Sequence, residues 1–175
     1  MQQLKAVLTG GPSSGKTTLI NQLNLSVIRC FEEVSREIIS MAQSKGDDLP
    51  FISHPLAFSE ALFERRLQDY FTPSSDRIHL FDRGIHDVVA YLNRIGKEIP
   101  CGMQEDCIKY TYEKVFVLPP WEAIFEKDKE RVEDFEESVI LHKALVDTYE
   151  DFGMTCIEVP KLSIEERKAF IVKHL

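Results

Sequence analysis

The sequence predicts a three-layer α/β sandwich on a five-stranded parallel sheet, and three observations carry that prediction. Five short runs rich in β-branched and aromatic residues recur along the chain, segments with helical apolar spacing lie between them, and a glycine-rich loop follows the first run directly. Strands separated by helices pair in parallel through crossover connections, with helices covering both sheet faces. The strand segments are Leu4 to Thr9, Ser26 to Phe31, Arg77 to Phe81, Lys114 to Leu118 and Thr155 to Val159.

The helices follow from spacing and punctuation. Leu19, Ile20 and Leu23 mark a helix just after the glycine-rich loop. Leu56, Phe63, Leu67 and Tyr70 fall on one helical face behind His54-Pro55, with Ser53 expected as the N-cap and Pro73 just past the end. Ile85, Val88, Val89, Leu92 and Ile95 form an apolar stripe that Gly96 stops. Leu141, Leu145, Tyr149 and Phe152 repeat that pattern ahead of Gly153, and Ser163-Ile164-Glu165-Glu166 reads as a capping box opening the last helix.

Composition bounds the function classes. A chain of 175 residues supports one core, so residues 1–175 are expected to form a single domain. The formal net charge of -8 disfavours nucleic acid and anionic lipid surfaces as partners, and no apolar run approaches the ~20 residues of a membrane span. Cys30, Cys101, Cys107 and Cys156 have no metal-ligand spacing, which fits reduced thiols in a cytoplasmic protein. The apolar stretch near the N-terminus is too short for a secretory signal.

The strongest chemical signal is Gly10-Gly11-Pro12-Ser13-Ser14-Gly15-Lys16-Thr17, which satisfies G-x-x-x-x-G-K-[ST] between a strand and a helix. Wrapping a polyphosphate closely requires residues without bulk, so that backbone N–H groups from Ser13 to Thr17 point inward and the helix N-terminus adds its field. Gly11, Pro12, Ser13, Ser14, Gly15, Lys16, Thr17 and Thr18 therefore form the expected nucleotide cradle. Lys16 bridges the β- and γ-phosphates of ATP in this reading, and the Thr17 hydroxyl coordinates Mg²⁺. The D-x-x-G and N-K-x-D strings of a GTP switch do not occur, and a motor of the AAA type fits less well because its strand normally ends in Asp-Glu, whereas here Asp82 is followed by Arg83.

Three further clusters concern the acceptor and the transition state. At a strand end, Asp82 holds Mg²⁺ through water or takes the proton of an acceptor hydroxyl, and Arg83 clamps a substrate oxyanion or the moving phosphoryl group; a plain ion pair is the alternative. Glu33 binds acceptor hydroxyls or acts as base, with Arg36 countering its charge, or else the two form an i,i+3 salt bridge on an exposed turn. Lys127, Lys129 and Arg131 are available to a lid over about residues 120–137, unless that run is only a solvated charged helix. Eight acidic and three basic residues between Glu122 and Glu137 carry most of the net charge, and Trp121 reads as a packing residue at the hinge.

These motifs together resemble a known family. Leu8 to Thr18, Glu33-Val34-Ser35-Arg36-Glu37-Ile38-Ile39, Asp82-Arg83-Gly84 with Asp87 and Ala90-Tyr91, and the Arg131 to Tyr149 segment are similar to the predicted-ATPase family that contains the kinase domain of NadR-type ribosylnicotinamide kinases. The resemblance implies a P-loop kinase fold with strand order 2-3-1-4-5, ATP with Mg²⁺ at Lys16 and Thr17, and a small-molecule site bounded by Glu33, Arg36, Asp82, Arg83 and Asp87. It matches Arg131 to the lid arginine and Pro160 to the loop beside the adenine. The expected activity is a Mg²⁺-dependent phosphotransferase of the small-molecule kinase type, with a nucleotide-binding regulatory module of low turnover as the rival. The acceptor does not carry over, because nothing in the chain spells a nicotinamide riboside pocket.

Overall fold

In the computed structural model, residues 3–23, 26–73, 75–125 and 134–175 are described. Five strands, β1 (Leu4–Gly10), β2 (Ile28–Phe31), β3 (Ile78–Asp82), β4 (Lys114–Leu118) and β5 (Cys156–Glu158), form one parallel sheet in the order β2-β3-β1-β4-β5. This is the order that the family resemblance implies. The expected strands all form, with β2 and β5 shorter by up to two residues at their ends.

Alternation along the strands builds two cores. Ala6, Leu8, Leu80, Phe116 and Leu118 face α1 (Lys16–Leu23) and α8 (Ile164–His174), meeting Leu19, Ile20, Leu23 and Ile171. Val7, Phe81, Val115 and Val117 face the other way, towards α4 (Pro55–Tyr70), α5 (Ile85–Arg94) and α7 (Phe135–Asp151), meeting Phe63, Val88, Leu92 and Tyr149. Burial of each large side chain is worth about 1.5–3 kcal/mol, so the period-two pattern fixes which face each helix must cover.

Three helices escape the sequence pattern: α2 (Ser35–Gln43), α3 (Pro50–Ser53) and α6 (Cys101–Lys109). α2 and α6 are nine-residue helices that contribute little to either core: α2 has no fully buried residue and α6 buries only Met103 and Cys107. Two expectations need correction. Ser53 ends α3 and its hydroxyl bonds Asp47 and Leu49, so His54 occupies the N-cap of α4 and Pro55 supplies the first turn. Helix α7 begins earlier than its apolar stripe: Asp134 and Glu137, at the end of the expected lid segment, form a reciprocal capping box at 2.9 and 3.1 Å, which starts the helix six residues before Leu141 and places carboxylates at its positive end.

His86 joins three of the helices. Its Nε2 lies 3.0 Å from the Cys107 carbonyl and its ring packs against Tyr149 and Phe152, while Nδ1 is buried without a partner. Burial pushes this imidazole down to about 4, with the Cys107 carbonyl and Asp87 acting in the opposite sense. The unfolded chain takes up this proton as pH falls through about 6.5 and the native state does so only near 4, so the native state loses stability across that window. The expected loss is roughly 3 kcal/mol at most, read by urea unfolding at pH 7 and pH 4.5. His86→Gln should flatten the profile, and an unchanged slope would refute the assignment.

Candidate active site

The phosphate loop grows out of the central strand. Gly10 has φ +145, and a Cβ there would stand 2.6 Å from the Leu118 carbonyl oxygen of neighbouring β4, so only glycine fits. Ser13 and Gly15 also take left-handed backbone, at φ 54 and 83, and turn the loop into the N-terminus of α1. Ser14 Oγ donates to the Gly11 carbonyl at 2.9 Å, and Ser138 of α7 packs against Gly11 from the other side. Lys16 donates to the carbonyls of Gly10 and Gly11 at 2.9 and 2.7 Å and to Ser14 Oγ at 3.2 Å. Burial first, and the Arg83 charge second, push its ammonium down to about 7. Thr17 and Thr18 are exposed at the start of α1.

On the β2–β3 side, the sheet brings Glu33, Asp82 and Arg83 together. Arg83 continues the β1 pairing through its N–H to the Leu8 carbonyl at 3.0 Å, but its φ is +69, a conformation that costs a non-glycine residue about 1–3 kcal/mol. That backbone turn aims the side chain so that Nε meets Glu33 Oε2 at 2.5 Å and Nη1 meets Asp87 Oδ1 at 3.3 Å. Glu33 Oε1 accepts a second guanidinium, Arg66 Nη2, at 2.9 Å. Burial alone would raise the Glu33 carboxyl, yet Arg66 and Arg83 take it down to about 2. Arg83 stays fully charged for the complementary reason, since Glu33, then Asp87 and Asp82, outweigh its burial.

Asp82 behaves differently. It is 5 % exposed and its Oδ1 is buried with no hydrogen-bond partner, and burial raises its carboxyl while Lys16 and Arg83 pull it down. A buried carboxylate oxygen of this kind needs a cation or a proton. Together with the exposed Thr17 at the start of α1, it suits a hard divalent cation such as Mg²⁺, which takes one or two protein oxygens and shares the rest with phosphate and water.

Asp87 is enclosed by the protein. Oδ1 accepts from Thr9 Oγ1 at 2.6 Å as well as from Arg83, and Oδ2 accepts from the Gly84 N–H at 3.0 Å and from the Tyr149 hydroxyl at 2.6 Å. Burial, then the Asp87 charge, hold the Tyr149 phenol well above its ordinary range, so it remains a donor. Gly84 exists for this contact: a Cβ would lie 2.6 Å from the Tyr149 oxygen and 2.7 Å from the Tyr112 ring. Arg36 is exposed on α2 and Glu33 turns to Arg66 and Arg83 instead, so the i,i+3 bridge does not form. Arg131, with Lys127 and Lys129, lies outside the described residues. Pro160 follows β5, whose neighbour Val159 donates its N–H to Val117 at 2.9 Å, on the side of the loop opposite Glu33.

The sequence sets Arg66, with Arg65, on a helix of the acceptor side within residues 44–73 and Tyr149 in an apolar stripe, and assigns no role to Arg167. Arg66 carries a legible signal, since it stands on the buried face of α4 with Ser59, Leu62, Phe63 and Tyr70. Arg167, 3 % exposed on α8, donates to the Ser14 carbonyl at 2.7 Å, lies against Gly15, and has its guanidinium 5.9 Å from the Trp121 ring centroid. Trp121 thereby packs by the arginine that holds the phosphate loop.

Comparison with known proteins agrees with this architecture. A protein family described as an AAA domain matches residues 5–167. The chain belongs to this AAA domain family. Its fold is also that of a deoxyadenosine kinase from M. mycoides with bound dATP, at 13% identity and a TM-score of 0.65 over 98% of both chains. The thymidylate kinase from Candida albicans aligns at 14% identity and a TM-score of 0.67, covering 99% of this chain and 91% of that one. NadR in complex with NR aligns at 18% identity and a TM-score of 0.66, covering 98% of this chain and 51% of that one. No curated protein matches the sequence significantly. This AAA domain thus has the P-loop kinase form of the sheet, and no helix among its described residues is long and apolar enough to cross a membrane.

Tyr149→Phe removes a buried hydrogen bond to a charged group and should cost about 1.5–3 kcal/mol in chemical denaturation. Gly84→Ala should cost more, and Tyr149→Phe in its background should rescue only part, because the Tyr112 ring still blocks the new methyl. Full rescue, or a neutral Gly84→Ala, would contradict the packing described.

Proposed function

We propose that the protein is an ATP- and Mg²⁺-dependent phosphotransferase acting on a small hydroxyl-bearing acceptor in the cytoplasm. The observation that carries this reading is Asp82, a buried carboxylate with an unpartnered oxygen, set at one strand end with Lys16 acting on its charge and the Glu33–Arg83 pair beside it. Solved structures of the same fold, a deoxyadenosine kinase, a thymidylate kinase and NadR in complex with NR, support it. The four free cysteines suit a reducing compartment.

The donor half rests on the loop. Backbone N–H groups from Ser13 to Thr17 and the α1 N-terminus face the phosphates, and Lys16 exchanges its loop carbonyls for phosphate oxygens, which are stronger acceptors. Thr17 and Asp82 would hold Mg²⁺, which supplies charge neutralisation across the β- and γ-phosphates when bound. Pro160 lies on the flank expected to take the adenine, and the Arg131 segment is the expected source of lid cations.

The acceptor half rests on β2 and β3. The acceptor hydroxyl oxygen forms a bond to the γ-phosphorus, the bond from that phosphorus to the β–γ bridging oxygen breaks, and ADP leaves. The hydroxyl proton passes to a strand-end carboxylate and then to solvent. A loose transition state asks little of the base until late, so Glu33, held near 2, serves better by accepting the hydroxyl's hydrogen bond and orienting it. Arg83 faces the transferring group, and Asp87 fixes Arg83.

Lys16→Ala should lower ATP turnover with a metabolite panel by roughly 10²-fold or more, and chelation of Mg²⁺ should abolish transfer until Mg²⁺ is restored. Turnover unaffected by Lys16→Ala would end the assignment. Because an anion favours the charged ammonium, ATP binding at pH 8 should take up as much as about one proton, measured calorimetrically in buffers of different ionisation enthalpy. Proton release on binding would contradict the electrostatics of Lys16.

A further inference from the structure

Two arginines are almost fully enclosed, Arg66 at 6 % and Arg167 at 3 % exposed. Arg66 has a carboxylate, Glu33, at 2.9 Å. Arg167, the fourth residue of α8, makes no ion pair among the described residues, and its Nε is buried without a hydrogen-bond partner. Its acidic neighbours in the chain do not serve, since Glu165 and Glu166 are exposed and Glu166 accepts from the Ser163 hydroxyl at 2.6 Å. Burial moves the guanidinium of Arg167 downward with no nearby charge opposing it, yet an arginine remains charged throughout the working range. Burying a cation without a counter-charge is strongly unfavourable, and the surroundings of Arg167 show where an anion would supply one.

The Ser14–Gly15 peptide separates Arg167 from the phosphate cradle. Nη2 donates to the Ser14 carbonyl at 2.7 Å, and a Cβ on Gly15 would stand 3.0 Å from Nη1. A trans peptide carries its C=O and N–H on opposite sides, so the carbonyl that accepts from Arg167 turns the Gly15 N–H away from it. That N–H is one of those that the phosphotransferase reading aims at the polyphosphate. A cation on the carbonyl end polarises the peptide and strengthens the bond its N–H makes to an anion. Lys16 does not duplicate this charge: burial and Arg83 push its ammonium down to about 7, so it is only partly charged at neutral pH before a nucleotide binds.

We infer that Arg167 is a positioning residue for the triphosphate: a charge held behind the phosphate loop that acts through the Ser14–Gly15 peptide and takes the bound polyphosphate as its counter-ion. This inference rests on the nucleotide-binding half of the phosphotransferase reading and adds to that site a residue of the last helix that lies outside the loop motif.

The test titrates the intact chain by calorimetry with ATP and with tripolyphosphate, which carries the anionic tail without ribose or base, in one Mg²⁺ buffer. Arg167→Gln should bind both roughly tenfold more weakly than the wild type, and Arg167→Lys, which keeps the charge, should recover most of that loss. A second pair isolates charge with Arg167 in place. The half-buried Trp121 has its ring centroid 5.9 Å from the guanidinium, so Trp121→Glu sets a carboxylate beside it. That variant should bind tripolyphosphate roughly threefold more weakly than Trp121→Gln, which has the same shape and no charge, and this pair decides the matter if Arg167→Gln does not fold. Equal affinity in the wild type and Arg167→Gln, equal loss in Arg167→Gln and Arg167→Lys, or equal affinity in the two Trp121 variants overturns the inference. A chain that follows the expected binding pattern but transfers no phosphoryl group to any hydroxyl compound ends the phosphotransferase reading and supports the role of Arg167. A wild type that binds neither ATP nor tripolyphosphate overturns both.

Discussion

Glu33 lies between two guanidiniums at the carboxyl end of the sheet, and the geometry of the strand ends depends on that arrangement. Glu33 and Arg83 are each 21 % exposed, so removing one member of this group leaves a charge with little solvent to turn to, at a cost nearer the lower end of the ~3–5 kcal/mol typical of fully buried groups. That is enough to hold Arg83 in a left-handed backbone conformation that would otherwise relax. From Arg83 the bonding runs through Asp87 to Thr9 on β1 and to Tyr149 on α7. The cluster therefore ties together β1, the turns after β2 and β3, α4, α5 and α7, and no member can shift alone.

The phosphate loop depends on the far end of the chain in the same way. Arg167 on the last helix grips the Ser14 carbonyl, and Ser138 on α7 closes against Gly11. A loop with three residues at positive φ is entropically costly to order, and these distant contacts hold it in shape before a nucleotide arrives. The two flanks divide the chemistry. Trp121, Pro160 and Arg167 lie towards β4 and β5, while Glu33, Arg66 and Asp87 lie towards β2 and β3, with Lys16 and Asp82 between them.

Electrostatics distinguishes the three carboxylates more sharply than their positions do. Glu33 is acidified by two arginines, Asp87 is enclosed by four donors, and Asp82 retains a buried oxygen with nothing to bond. Three groups of similar chemistry thus sit in three different environments, which is why the proposed function gives them different parts: orientation of an acceptor, fixation of an arginine, and attachment of a cation.

Strands, the phosphate loop and most helix starts were legible in the sequence because their causes are local. Alternating apolar residues, glycine at positive φ, and Ser163 bonding Glu166 all act within a few residues. The Glu33, Asp82 and Arg83 constellation was partly legible, because parallel strands deliver their carboxyl ends to one edge of the sheet. Helices α2 and α6 were not, since they are short and bury little of either core. Nor was the choice of partners: Arg66 reaches Glu33 across 33 residues, Tyr149 reaches Asp87 across 62, and Arg167 reaches Ser14 across 153. The sequence by itself determined the sheet, the donor loop and the residue types at the strand ends. Only the tertiary structure decided which arginine neutralises which carboxylate, because that depends on the helix faces that the strand order brings into contact.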